Sequence, residues 1–230
     1  MTKARLGRLE RGPSLTEQAY TQLRRRIITC ELAPGSEVSE LDLAEDLAMS
    51  KTPVREALAR LALEGYVDTF PRRGYRVRSI TFKDINDLFD VRVLLEPAVA
   101  ALAAARLTSP EVDELDRLSR LAYTPDTEPS LDGLIAANRE FHSAIAHASG
   151  NPRLTALVIS YMEESERFLY VSARNRQVNY ETSQDHAALV DAFRRKDPPA
   201  AQRIMANHIE HTRNGLIGHM LKSELVEVKI

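Results

Sequence analysis

The sequence predicts a mainly α-helical protein in two parts: three helices closed by a basic β-hairpin, then an all-helical bundle. Apolar residues recur at helical spacing through most of the chain. Alternation of period two is confined to YVDTFPRRGYRV at 66–77. Turn-forming clusters (TSP at 108–110, TPDTEPS at 124–130, SGNP at 149–152, DPP at 197–199) cut the remainder into helical lengths, with no strand signal and no Gly-rich phosphate loop.

A chain of 230 residues suffices for two modest domains, and 43% hydrophobic with 28% charged residues describes a folded protein. Expected boundaries are a flexible tail at 1–13, a first domain at 14–79 and a second at 80–230. Cys30 is the only cysteine, so no disulfide closes within one chain and a reducing, cytoplasmic setting is expected. The longest apolar run, PAVAALAAA at 97–105, is too short to span a bilayer, and Met1 to Ser14 lacks an export-type hydrophobic core, so no membrane association is expected. The formal charge is −2, split into +3 over residues 1–80 and −5 over 81–230. A polyanion would prefer the first part.

From Leu15, LTEQAYTQLRRRIITCEL places Leu15, Ala19, Leu23, Ile27 and Ile28 on one face of a first helix. APGS at 33–36 is a turn, and SELDLAEDLAM at 39–49 reads as a short second helix with Leu41, Ala44 and Leu47 inward. Pro53 suits only the first turn of a third helix, which Thr52 or Ser50 caps. Val54, Leu58, Leu61 and Ala62 form its buried stripe, leaving Lys51, Thr52 and Arg55 exposed near its N-terminus, and Gly65 stops it. The hairpin then turns at Pro71, Arg72, Arg73 and Gly74. This is the plan of a winged helix-turn-helix, whose third helix enters the major groove of duplex DNA. A helix N-terminus with amides, hydroxyls and flanking cations suits phosphates and base edges.

The run from Tyr20 to Val77, with SKTPVREAL at its centre, resembles the DNA-binding domain of GntR-type bacterial transcription regulators. The resemblance implies recognition-helix contacts from Ser50, Lys51, Thr52 and Arg55 and wing contacts from Arg72, Arg73 and Gly74. Lys51 stands where Arg is common, which removes a bidentate fork, and Leu41 replaces a basic residue found in some relatives.

Beyond Thr81 and Asp84, spaced as a capping box, a long helix with a bend expected at Pro97 is followed by helices at about 109–122, 130–148, 152–176, 181–196 and 199–222. On the helix near 138, Leu134, Phe141 and Ile145 define an inward face on or close to which Asn138 and His142 fall. His186 shares a face with Leu189, Val190 and Phe193, and His208 with Ile204. Three helices thus aim polar ligands at one interior, a set suited to zinc or another late first-row divalent ion. His147 is rotated away and His219 is remote; His211 occupies nearly the face of His208, and periodicity does not separate the two. Arg92 and Glu96 lie on the buried stripe of Ile85, Leu88, Phe89 and Val99, either as a mutual ion pair or with Arg92 anchoring a ligand carboxylate.

VRVLLEPAVAALAA, NREFHSAIAHASGNP, DHAALVDAF and AAQRIMANHIEH resemble the FCD effector domain, the helical module attached to one GntR subfamily. The resemblance implies a divalent metal, zinc first with nickel, manganese or iron as alternatives, held by Asn138, His142, His186 and His208, and the place of Arg92 and Glu96 on the buried stripe puts them at the effector. It implies a homodimeric regulator, not an enzyme, that binds a palindromic operator, represses, and responds to a small carboxylate. Two alternatives stand beside it: a metal-dependent hydrolase or lyase, for which Glu96 is the best general base, and a metal-free regulator of a larger acyl-type ligand.

Overall fold

The computed structural model describes residues 12–70, 74–121, 131–172 and 178–222. Residues 1–11 of the expected tail and Arg72 and Arg73 of the hairpin tip lie outside the described residues. The chain divides into two compact units, Met1–Ser79 and Ile80–Ile230.

The first unit runs α1 (Leu15–Ile28), β1 (Glu37–Val38), α2 (Glu40–Asp46), α3 (Lys51–Leu63), β2 (Val67–Phe70) and β3 (Gly74–Val77). The Ser14 hydroxyl accepts from the Glu17 amide and starts α1. Ala19, Tyr20, Leu23, Ile27 and Ile28 are its buried residues; Pro53, Val54, Ala57, Leu58 and Leu61 are those of α3, the helix α1 packs against. Leu15, expected inward, is 56% exposed. It belongs to the first turn, where α1 meets α3 through a polar contact, Thr16 Oγ1 to Glu56 at 2.7 Å.

Ser39 caps α2 by accepting from the Leu41 and Asp42 amides. Starting the helix there turns Leu43 and Ala44 inward, so Leu41 is exposed, contrary to the sequence expectation. In α3 the buried stripe includes Ala57 and leaves Ala62 only half-buried. Gly65, at φ +80°, ends α3 and turns the chain into β2.

The hairpin gains a strand that the sequence did not announce. β1 pairs antiparallel with β3, giving sheet order β1-β3-β2 with Arg76 opposite both Glu37 and Asp68. Two residues are too few for alternation to register. Gly74 makes this edge possible, because at φ +93° a Cβ there would lie 2.8 Å from the Val38 carbonyl oxygen.

The second unit comprises α4 (Phe82–Arg106), α5 (Ser109–Leu121), α6 (Leu131–Ala148), α7 (Pro152–Ser172), α8 (Val178–Arg194) and α9 (Pro198–Lys222). Thr81 and Asp84 close a reciprocal capping box on α4, and the helix continues through Pro97 without interruption. It packs chiefly against α9 and also touches α6, α7 and α8. Phe89, Phe141, Phe193, Leu115, Ile145 and Met162 fill the core. Cations close two helix ends: Lys196 Nζ donates to the Leu107 carbonyl, and Arg106 Nη1 donates to that of Ser149 at 2.6 Å. Among the described residues no helix is long and apolar enough to cross a membrane.

Replacing Gly74 by alanine adds backbone strain and a clash with β1. Gly74→Ala should lower the stability of the first unit by about 1–3 kcal/mol, read as a reduced urea midpoint by circular dichroism.

Candidate functional site

Two groups of side chains stand apart from ordinary packing. The first surrounds the N-terminus of α3. Ser50 occupies its cap position with extended backbone (φ −73°, ψ 161°), yet its hydroxyl makes no capping hydrogen bond. Lys51, Thr52 and Arg55 are exposed beside it, as the sequence anticipated, while Thr52 lies inside the helix rather than capping it. Arg55 is not a free cation. Its Nε donates to both oxygens of Glu40 on α2, at 3.1 and 3.0 Å, and its Nη2 donates to Oε2 at 2.8 Å. Tyr75 on β3 reaches the same carboxylate through its hydroxyl at 3.4 Å. The hydrogen bond from Arg55 holds Glu40 below the usual carboxylate range, and burial raises Tyr75. Elsewhere on the sheet, Arg76 pairs with Glu37 at 2.7 Å and lies over the Phe70 ring.

The second group is buried among the helices of the second unit. Glu96 is 2% exposed; its Oε1 takes the Arg92 Nε at 2.6 Å and its Oε2 lies 2.6 Å from His142 Nδ1. Arg92, 3% exposed, also donates from Nη1 to Ser165 Oγ on α7 at 3.4 Å. Burial alone would raise Glu96, but the Arg92 guanidinium and the His142 ring reverse this and hold its carboxyl well below the ordinary range. A carboxylate only accepts, so His142 Nδ1 donates to Glu96 and its Nε2 is turned inward.

That Nε2 lies 3.2 Å from His208 Nε2, and the ligand atoms of His142, His186 and His208 all fall within 4.8 Å of one another. His186 stacks on Phe141 with ring centroids 4.1 Å apart, which fixes its plane. Burial drives His186 far below the ordinary imidazole value and lowers His208 to about 4. Both rings are therefore neutral near pH 7, the form a metal requires. Nitrogens bound at about 2.0–2.1 Å to one ion in tetrahedral array stand roughly 3.3 Å apart, and the His142 to His208 spacing already meets this. The three imidazoles fit a divalent ion.

If His142 Nε2 accepts, His208 Nε2 donates, and the second nitrogen of His208 carries a lone pair. That atom, Nδ1, has no hydrogen-bond partner and faces Asp185 Oδ2 at 3.6 Å. Asp185 in turn takes His211 Nδ1 at 2.9 Å.

The sequence-derived set meets in part. His142, His186 and His208 converge, whereas His211 is 52% exposed in its side chain and turned to Asp185. Asn138 is half-buried one turn before His142, and His147 is exposed. Ile135, not Leu134, is fully buried on the α6 face. Arg92 and Glu96 form the mutual ion pair, with Glu96 serving His142 as well. Sequence reading missed Asp185, Ser165, and the roles of Glu40 and Tyr75. Only Asp185 had a signal, its place beside His186.

Residues 15–77 match the family described as bacterial regulatory proteins, gntR family, and residues 87–211 match the FCD domain. The Nta operon transcriptional regulator of Aminobacter aminovorans is 30% identical over 174 residues, covering 76% of this chain and 82% of that protein. The HTH-type transcriptional repressor RspR of Escherichia coli K12 is 25% identical over 196 residues, covering 85% and 86%. Among solved structures, E. coli McbR/YncC superposes with a TM-score of 0.77 at 26% identity, covering 91% of this chain and 100% of that one. A putative GntR regulator from Rhodococcus sp. RHA1 gives 0.73 at 25% identity, covering 90% and 99%. Such proteins are regulators rather than enzymes, and the chain belongs to the GntR family of DNA-binding transcriptional regulators, with an FCD domain as its second unit.

Proposed function

We propose that the protein is a homodimeric, ligand-responsive repressor, working in the cytoplasm, whose FCD domain senses a small carboxylate through a metal-containing pocket. One observation supports this most: three buried imidazoles from α6, α8 and α9 converge beside a buried Arg92. Burying that many polar groups is costly beyond what their mutual contacts return, and a bound ligand would offset it.

His142, His186 and His208 would hold the ion, zinc first, with Asn138 as a further oxygen donor one turn away. The ion supplies positive charge and Lewis acidity for an effector oxygen. Glu96 orients His142 and fixes its tautomer. His208 must then carry its proton on Nδ1, where Asp185 stands ready to accept it. Arg92 keeps Nη2 without a hydrogen bond among the described residues, leaving donors for the effector carboxylate.

On the DNA side, Ser50, Lys51, Thr52 and Arg55 would meet base edges and phosphates, with Arg72, Arg73 and Gly74 from the wing beside them. Two copies fit a palindromic operator. α4 offers a surface for the pairing: Leu94 (77%) and Leu102 (37%) are exposed on a face continued by Ala98 and Ala105, with Leu157 of the adjoining α7 exposed as well.

Protein purified without chelator should contain about one zinc-type ion per chain by elemental analysis; His208→Ala should lose it and His211→Ala should keep it. A wild-type protein that takes up no divalent ion overturns the metal reading. On an operator selected from a random duplex pool, Arg55→Ala should weaken binding by about 1–3 kcal/mol, more than it weakens binding to bulk DNA, measured by fluorescence anisotropy.

In metal-free protein, the folded state resists protonation of His208 from 6.5 down to about 4, whereas the unfolded chain takes up the proton at once. Stability should therefore be full above about pH 6.5 and fall, by on the order of a few kcal/mol, toward pH 4. Glu96, depressed when folded, adds to the loss below its ordinary 4.5. Urea midpoints at pH 7.5, 6 and 5 in chelator check this.

A further inference from the structure

We infer that Glu40 is a specificity-determining positioning residue, which holds Arg55 so that only the end of its guanidinium is offered to DNA. The inference rests on the reading of Arg55 as a base contact and extends it to a residue outside the recognition helix.

The geometry is particular. Glu40 occupies the Nε and Nη2 side of Arg55 with three contacts of 3.1, 3.0 and 2.8 Å. The remaining donors are both hydrogens of Nη1 and the second of Nη2, and these form an end-on fork matched to two acceptors on one guanine edge. A lysine at position 55 could not be held and presented in this way. Glu40 is itself fixed. It is the first residue of α2, directly after the capping Ser39, and its side chain is only 23% exposed. Tyr75 of β3 reaches its Oε1 at 3.4 Å. Second helix, recognition helix and wing strand therefore meet at one carboxylate.

Charge gives the second consequence. An isolated Arg55 would attract any phosphate, whereas the pair carries no net charge and favours only a partner that matches its fork. Stability does not account for the arrangement, because Arg55 is 63% exposed and such pairs contribute little to folding. Lys51 adds its charge to the field at Glu40, but no other contact under hydrogen-bond distance joins the cluster among the described residues.

The test uses full-length protein and duplexes enriched by the wild type from a random pool, with bulk competitor DNA measured alongside. Glu40→Gln keeps the shape and removes the charge. It should lower the ratio of selected-site to bulk affinity by on the order of tenfold, and should steepen the salt dependence on bulk DNA by about one phosphate contact. In an Arg55→Ala background the same substitution should leave the ratio unchanged. Tyr75→Phe, which leaves the ion pair and deletes one hydroxyl, should lower the ratio in the same direction but less, and serves if Glu40→Gln does not fold. A merely structural role would instead lower the melting temperature and weaken both DNAs alike. If the wild type enriches no sequence, the underlying reading fails. If it does and Glu40→Gln retains the full ratio, the inference alone is overturned.

Discussion

Burial of one carboxylate constrains the whole second unit. Glu96 is taken out of water in the middle of α4, and a charge so placed must find partners for each oxygen or be neutralised. Arg92 takes one oxygen from the same helix and His142 takes the other from α6. Arg92 then reaches Ser165 on α7, and His142 reaches His208 on α9. Apolar contacts tolerate sliding by a fraction of a turn, but this chain of hydrogen bonds does not. The register of four helices around the imidazoles follows from it, while Phe89, Phe141 and Phe193 supply the burial that makes the bundle fold.

The first unit repeats the device at its surface with a different energetic meaning. There Glu40 holds a guanidinium as Glu96 holds an imidazole. Water screens the exposed pair, so its worth lies in orientation rather than in folding energy. In both places a carboxylate turns a nitrogen-bearing side chain toward a vacant direction. The buried example fixes a tautomer, and the exposed example fixes which edge of a planar group faces outward.

Much of this could be read in the chain itself, for local reasons. The Thr81 and Asp84 pair marks a helix start because a capping box acts within three residues. Pro53, lawful only in a first turn, places the exposed end of α3. Helical period also names the inward faces that carry His142, His186 and His208. What period cannot supply is who meets whom. The Glu96 to His142 and His142 to His208 contacts join residues 46 and 66 apart, and Glu40 reaches Arg55 across a turn. His208 and His211 differ by about 60° around the helix, and the packing of α8 against α9 puts one in the core and the other outside. For the same reason Leu41 and Leu43 exchanged places: a helix of seven residues has too few turns to fix its phase.

A sensor must differ in free energy between its empty and filled states, since a ligand shifts an equilibrium only by its differential affinity. The His208 ring, with a neighbour at each nitrogen, could supply such a difference. His142 Nε2 lies 3.2 Å from His208 Nε2 and the Asp185 carboxylate lies 3.6 Å from His208 Nδ1, so the tautomer of His208 decides which of the two neighbours it donates to. With its proton on Nδ1, His208 would donate to Asp185, and both Nε2 atoms would be available to a cation. Asp185 also carries His211, which is exposed, so on the reading proposed for this domain one carboxylate would link a filled buried site to the surface between α8 and α9. On that reading, the tautomer of His208 is what a bound ion would set, and α8 and α9 are the elements whose balance it would bias.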